Sequence, residues 1–328
     1  MKVEELRQLM EAADMEHVMK AFTESYKLLR KNQKEEIDPV ITAILKGTTI
    51  EKKKIENIVS FEELEGQIEE FIQNAYAQNY LVPNRIIPKS QRPKWRFIVK
   101  NFIKELEKTV TEDDNYQKSV KLLTDLYNML CDGCRRDLFP TDDPFRSIVW
   151  EQEKLFEIVV KKTFAEGYVR EDIVRLLLSA VTSGLSSEVW HIDLEKILID
   201  DLKTREAKCI AIEEAKNQIE ERTKKLEGMK KYDNGRYSLE IDVNEFCNMI
   251  VLFSIELAEA EKGMTYYFEH CIKKSKDDAV CDVLNVINEM EEDDLWMKVY
   301  EHGVQNNIKM SANLTSVYEY RKKRNNNH

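Results

Sequence analysis

Glycine and proline are both scarce, nine and six in 328 residues, against average usages of about 7% and 5%. Turns that need a positive φ or a fixed ring are therefore few, and the backbone material for cradling a nucleotide is thin. No proline follows Pro144, so the second half of the chain lacks the strongest helix breaker and is expected to be nearly continuous helix. Long apolar runs are missing too. No stretch approaches the roughly 18 uncharged residues of a membrane span, and the opening MKVEELRQLMEAADMEH carries charges where a signal peptide needs an apolar core. The six cysteines, at 131, 134, 209, 247, 271 and 281, are scattered as free thiols of a reducing compartment would be. The expectation is a cytoplasmic protein without structural disulfides.

Catalytic motifs are equally sparse. There is no Gly-rich phosphate loop, no dinucleotide fingerprint, no His-Glu-x-x-His and no nucleophile elbow. Cys131 and Cys134 stand at CxxC spacing, but a zinc site needs four ligands and only a distant His270/Cys271 pair is available to complete it. Glu188 and His191 have the spacing that di-iron bundles use on one helix face, yet such sites need two of these motifs and two further carboxylates. Aspartate pairs recur at Asp113/Asp114, Asp142/Asp143, Asp200/Asp201, Asp277/Asp278 and Asp293/Asp294. Most fall where a helix should begin, where a carboxylate satisfies free N–H groups and the dipole. No catalytic, metal or cofactor residues are assigned, and an enzyme is the less expected class. An enzyme with a dispersed site, its residues supplied singly by distant helices, leaves no motif and stands as a third reading.

What is present is a heavily charged helical pattern: 42% hydrophobic, 34% charged, with a net charge of −11. This is enough apolar material for a core, in a chain longer than one core usually supports. Residues 15–32 place Met15, Val18, Met19, Phe22, Tyr26 and Leu29 on one face, pairing with a helix over 2–13. Pro39 can open a short helix through Ile44 and Leu45 that stops at Gly47, after which Thr48 and Glu51 have capping-box spacing. Ser60 and Glu63 repeat the device before a stripe of Phe61, Leu64, Ile68, Phe71 and Ala75. A run from Asp143 through Trp150 and Phe156 to Phe164 reads as one helix. Residues 170–183 are apolar nearly all round and are expected to be central. Helices over 187–202, 204–230, from Asp242, from Ala279, and over 294–307 and 311–322 complete the pattern, while Asp233-Asn234-Gly235 is a turn signal and RYSLEI after it suits a small hairpin. The fold expected is all-α: stacked antiparallel helix pairs, a right-handed α-solenoid-like or irregular multihelical bundle, with at most one short β-hairpin near 232–241. The domain division expected is an N-terminal helical subdomain over 1–79, a Pro/basic linker over 80–92 and a helical array over 93–328.

One segment departs from the acidic whole. Between Glu70 and Glu105 there is no carboxylate, while Arg85, Lys89, Arg92, Lys94, Arg96, Lys100 and Lys104 supply seven positive charges. Trp95 and Phe97 are interleaved with them, and Tyr76 and Tyr80 lie just upstream. Basic and aromatic groups together suit an acidic partner, phosphate contact or base stacking; a solvated helix face is the ordinary alternative. The leading expectation is an intracellular scaffold or adaptor binding another protein, with Arg85, Lys89, Arg92, Lys94, Trp95, Arg96, Lys100 and Lys104 as partner-binding residues. A nucleic-acid-binding helical protein using residues 85–104 is the alternative, disfavoured by the net charge.

Overall fold

A computed structural model describes residues 3–29, 34, 37–38, 41–42, 44–46, 60–83, 86–272, 275–290 and 292–325. They are all-helical, without strand, and divide into two compact units, residues 1–60 and 61–328. The first unit holds α1 (Val3–Ala12) and α2 (Met15–Lys27). Asp14 caps α2 by accepting a hydrogen bond from the His17 N–H at 2.9 Å, which stops α1 and turns the chain. Ile41, Thr42, Ile44 and Leu45 are helical; the Pro39 start, the Gly47 stop and the Thr48–Glu51 pairing lie outside the described residues.

The second unit begins with α3 (Phe61–Tyr76), followed after a 3-10 turn at Arg92–Lys94 by α4 (Trp95–Glu107). Next come α5 (Tyr116–Gly133), the short α6 (Pro144–Ile148), α7 (Gln152–Phe164), α8 (Arg170–Thr182) and α9 (His191–Asp201). A long hairpin of α10 (Arg205–Glu227) and α11 (Arg236–Glu256) precedes α12 (Ala260–His270), α13 (Lys276–Glu289), α14 (Asp293–Gln305) and α15 (Ala312–Asn325). Sequence neighbours pack in pairs, but α3 and α4 both lie on α5, α7 packs on α9, and α11 touches α8, α9 and α13. This is a multihelical bundle of stacked helix pairs.

The division between the units does not fall at 80–92. Tyr80 is buried against Phe71 and Phe139, with ring centroids 5.3 and 5.6 Å away. The two aromatic contacts tie that segment into the core that α3, α4 and α5 share.

Three expectations about elements are corrected. In place of the hairpin near 232–241 the chain starts α11: Gly235, at φ +81°, ends the turn, and Leu239, Val243, Phe246 and Ile250 then follow helical spacing, with Arg236 paired to Glu240 at 2.8 Å. The run from Asp143 to Phe164 is broken. The N–H groups of Val149 and Trp150 donate to Arg146 and Phe145 carbonyls, both at 3.1 Å, and Val149 sits at φ +54°, a left-handed stop normally made by glycine. Helix α8 buries one face (Ile173, Leu176, Leu177, Ala180, Val181) and is less enclosed than α5, where twelve of eighteen residues are buried, or than α11, whose residues 249–254 are all buried. The α10 partner of α11 buries Ala207, Ala211 and Ala215, small residues on one row, and α12 approaches α11 at Gly263, where a Cβ would stand 2.6 Å from Ser254.

Candidate partner-binding surface

The basic segment is positioned from its buried side. On α4, Trp95, Val99, Phe102, Ile103 and Leu106 face inward. Trp95 stacks on Phe139 at 4.0 Å between ring centroids, and Phe102 meets Phe71 edge-on at 5.7 Å. Burying this row forces Arg96, Phe97 and Lys104 to the opposite side, where all three are exposed. Arg96, Lys100 and Lys104 repeat every four residues, so their Cα atoms rise along one row by about 6 Å a step.

Trp95 is therefore a core residue, only 2% exposed, and offers no face to a partner. Its neighbours supplied the wrong cue: an aromatic between two cations marks the row where the helix meets its core. Tyr80 is likewise internal, and Tyr76 donates its hydroxyl to Asp132 at 2.9 Å with the Arg136 guanidinium over its ring. Phe97 is the exposed aromatic of α4, at 67%. Lys89 and Lys94 are exposed and Arg92 is half-buried, its Nε donating to the Ile87 carbonyl at 2.9 Å. Arg85 lies outside the described residues.

Lys100 does something that sequence did not indicate. Its ammonium donates to the carbonyls of Ile148 and Val149 at 3.1 and 3.3 Å, at the C-terminus of α6, and lies 5.9 Å from the Trp150 ring centroid. Unpaired carbonyls at a helix end attract a cation, so the basic row is bolted to the α6–α7 corner. Val149, at 79% exposure, brings an apolar side chain to the same place.

That corner is held by two buried polar side chains. Gln152, buried at the start of α7, donates to the Gly184 carbonyl at 2.9 Å and accepts from the Ser186 N–H at 2.7 Å. Asp143 caps α6 through the Arg146 N–H at 3.0 Å and accepts from the Ser186 hydroxyl, and from the Ser187 N–H and hydroxyl, at 2.8, 3.1 and 3.0 Å. Burial pushes the Asp143 carboxyl upward, but these donors outweigh it and hold the group below the ordinary range. A cleft of about 510 Å3 opens beside it, lined by Thr141, Asp142, Asp143, Arg146, Ser147, Leu185 and Ser187. With its acceptors occupied, Asp143 is a brace in this arrangement.

The other chemical candidates are dispersed. Burial pushes the Cys131 and Cys134 thiols up to about 12, which disfavours the thiolates a metal requires. Helix α9 starts at His191, so Glu188 precedes it and the two do not share a helix face; His191 Nδ1 lies 3.0 Å from the Ala180 carbonyl. Of the aspartate pairs, Asp277/Asp278 and Asp293/Asp294 occupy first turns, while Asp200/Asp201 end α9. Among the described residues no three His, Cys, Asp or Glu side chains are grouped to hold a metal ion, and no helix is long and apolar enough to cross a membrane.

No family model, no curated protein and no solved structure matches the chain.

Proposed function

We propose that the chain is an interaction scaffold of the cytoplasm whose exposed α4 face, with the adjoining α6–α7 corner, docks an acidic segment of another protein. One observation carries this reading. Lys89, Lys94, Arg96 and Lys104 point into solvent with no carboxylate at ion-pairing distance among the described residues, whereas basic side chains elsewhere on the unit are commonly paired, as in Lys118–Glu65, Lys121–Asp125, Arg136–Asp132 and Arg170–Glu213. A positive surface on a chain of net charge −11 attracts an acidic partner while the remainder repels wrong ones. Phe97 and Val149 add apolar contact within the charged field. With Trp95 in the core, α4 keeps a single exposed ring, which favours a protein partner over the nucleic-acid alternative. Free cysteines throughout suit a reducing compartment.

The test is affinity purification from native cells of the wild type beside Lys94→Glu/Arg96→Glu/Lys104→Glu. A protein partner retained by wild type and reduced at least tenfold in the variant is the expected result. Equal recovery from both would overturn the assignment of this face, and nuclease-sensitive recovery of nucleic acid through it would favour the alternative.

A further inference from the structure

We propose that the tip of the α10–α11 hairpin is a separate binding site for single-stranded nucleic acid, with Tyr232 and Tyr237 as stacking platforms and Lys230 and Lys231 as phosphate contacts. Residues 224–237, KKLEGMKKYDNGRY, hold five basic side chains against Glu227 and Asp233, a local excess of positive charge within an acidic chain. Lys224 and Lys225 pair with Glu220 and Glu221. Lys230 and Lys231 have no carboxylate at ion-pairing distance among the described residues. Tyr232 is 90% exposed and Tyr237 75%, and the Lys231 ammonium lies 5.7 Å from the Tyr232 ring centroid.

The loop that carries these groups is firmly built. The Arg236 guanidinium donates to the Leu226 and Met229 carbonyls at 3.0 and 2.8 Å and to Glu240 at 2.8 Å. Asp233 accepts from the Lys230 N–H at 2.7 Å, the Arg236 N–H donates to the Asp233 carbonyl at 3.2 Å, and Met229 packs against the core. These bonds order the turn, and none involves either tyrosine ring. A rigid turn that leaves two large rings in water loses little freedom when a ligand covers them. Flat rings beside unpaired ammonium groups match what an unpaired strand displays, bases with two π faces joined by phosphates. A duplex hides its base faces and an acidic peptide lacks them. Attraction between exposed charges fades beyond about 10 Å in ordinary salt, so the acidic remainder does not cancel the tip for a ligand already against it.

The test is fluorescence anisotropy of the full chain with fluorescein-labelled oligo(dT) and oligo(U), each of about twenty nucleotides, over a salt series starting near 50 mM. The wild type is expected to bind, with affinity falling as salt rises. Tyr232→Ala and Tyr237→Ala should each weaken binding about tenfold, the worth of a stacked base, while the Phe variants keep it. Lys230→Glu/Lys231→Glu should flatten the slope of log affinity against log salt by roughly 1.4. Neither ring packs on the fold, so unchanged far-UV circular dichroism accompanies each result. The ratio of the two affinities identifies the nucleic acid as RNA or DNA. Wild-type affinity in the double alanine variant, no binding at low salt, equal competition by polyglutamate, or capture by anionic vesicles alone would each overturn the proposal. Lys94→Glu/Arg96→Glu/Lys104→Glu should leave oligonucleotide binding intact, which separates this site from the α4 face; loss in that variant alone would place the ligand on α4 and refute the tip.

Discussion

Glu195 lies wholly buried on α9, with neither carboxylate oxygen hydrogen-bonded. Burial, and then the negative Glu245, push its pKa well above the ordinary value, so the folded protein holds a proton there that the unfolded chain releases above about 4.3. The sign follows directly: stability is fully present below the unfolded pKa and falls as pH rises toward the folded one. Glu195→Met, which removes the polar group and fills its space, is expected to stabilise the protein by roughly 2 kcal/mol at pH 8. The gain should shrink toward pH 5. Urea unfolding at the two pH values checks this, and a pH-independent difference would count against it. The chain's charge pattern gave no warning, because Glu195 lies among Leu194, Leu198 and Ile199 in a helix that otherwise reads as half solvated, and which side is covered is decided by α7, α8 and α11 packing on it.

At the scale of elements, the connection from α8 to α9 is held tightly. A Cβ at Gly184 would stand 2.0 Å from the Cys131 carbonyl oxygen, and the neighbouring backbone is clamped by Gln152 and Asp143. Gly184→Ala is expected to lower stability by about 3 kcal/mol, since backbone must move; a thermal midpoint equal to wild type would show that the loop shifts freely. Helix existence was largely legible, because stripes such as Ile68/Phe71/Ala75 and Val243/Phe246/Ile250 have a strong period. Helix ends were less so. Val149 stops α6 without the expected glycine, and RYSLEI satisfies a strand's alternation and a helix's spacing at once, so only the continuation through Val243 decides between them. The face of α4 was half legible: the cations were visible, while Trp95's burial and Lys100's carbonyl anchors depend on helices distant in sequence. The basic and aromatic residues of the tip at 230–237 are visible in the sequence, but the turn and hairpin its pattern suggests give no sign that its rings are unpacked.

For the molecule as a whole, the buried residues among those whose burial is described begin at Ile68, and neither residues 5–12 of α1 nor any of α2 is among them. A chain of residues 60–328 is therefore expected to retain its helical circular dichroism and a cooperative thermal transition within a few degrees of the full chain. Loss of cooperativity would show that the first unit takes part in the fold of the second. Mixed neighbour and non-neighbour packing, from α3 on α5 to α7 on α9, spreads that core across the unit, and hydrophobic periodicity alone carries no information on such pairings.

The anchoring of Lys100 on peptide carbonyls has a kinetic side. Where a cation is locked to a carboxylate, an incoming ligand must wait for that pair to open or displace it; on α4 the neighbouring cations carry no such tether, and Lys100 is fixed without its charge being neutralised. On the proposed reading, an acidic segment would meet this face without any exchange of internal ion pairs, long-range attraction would raise its rate of encounter, and the lifetime of the complex would be set by the contacts around Phe97 and Val149.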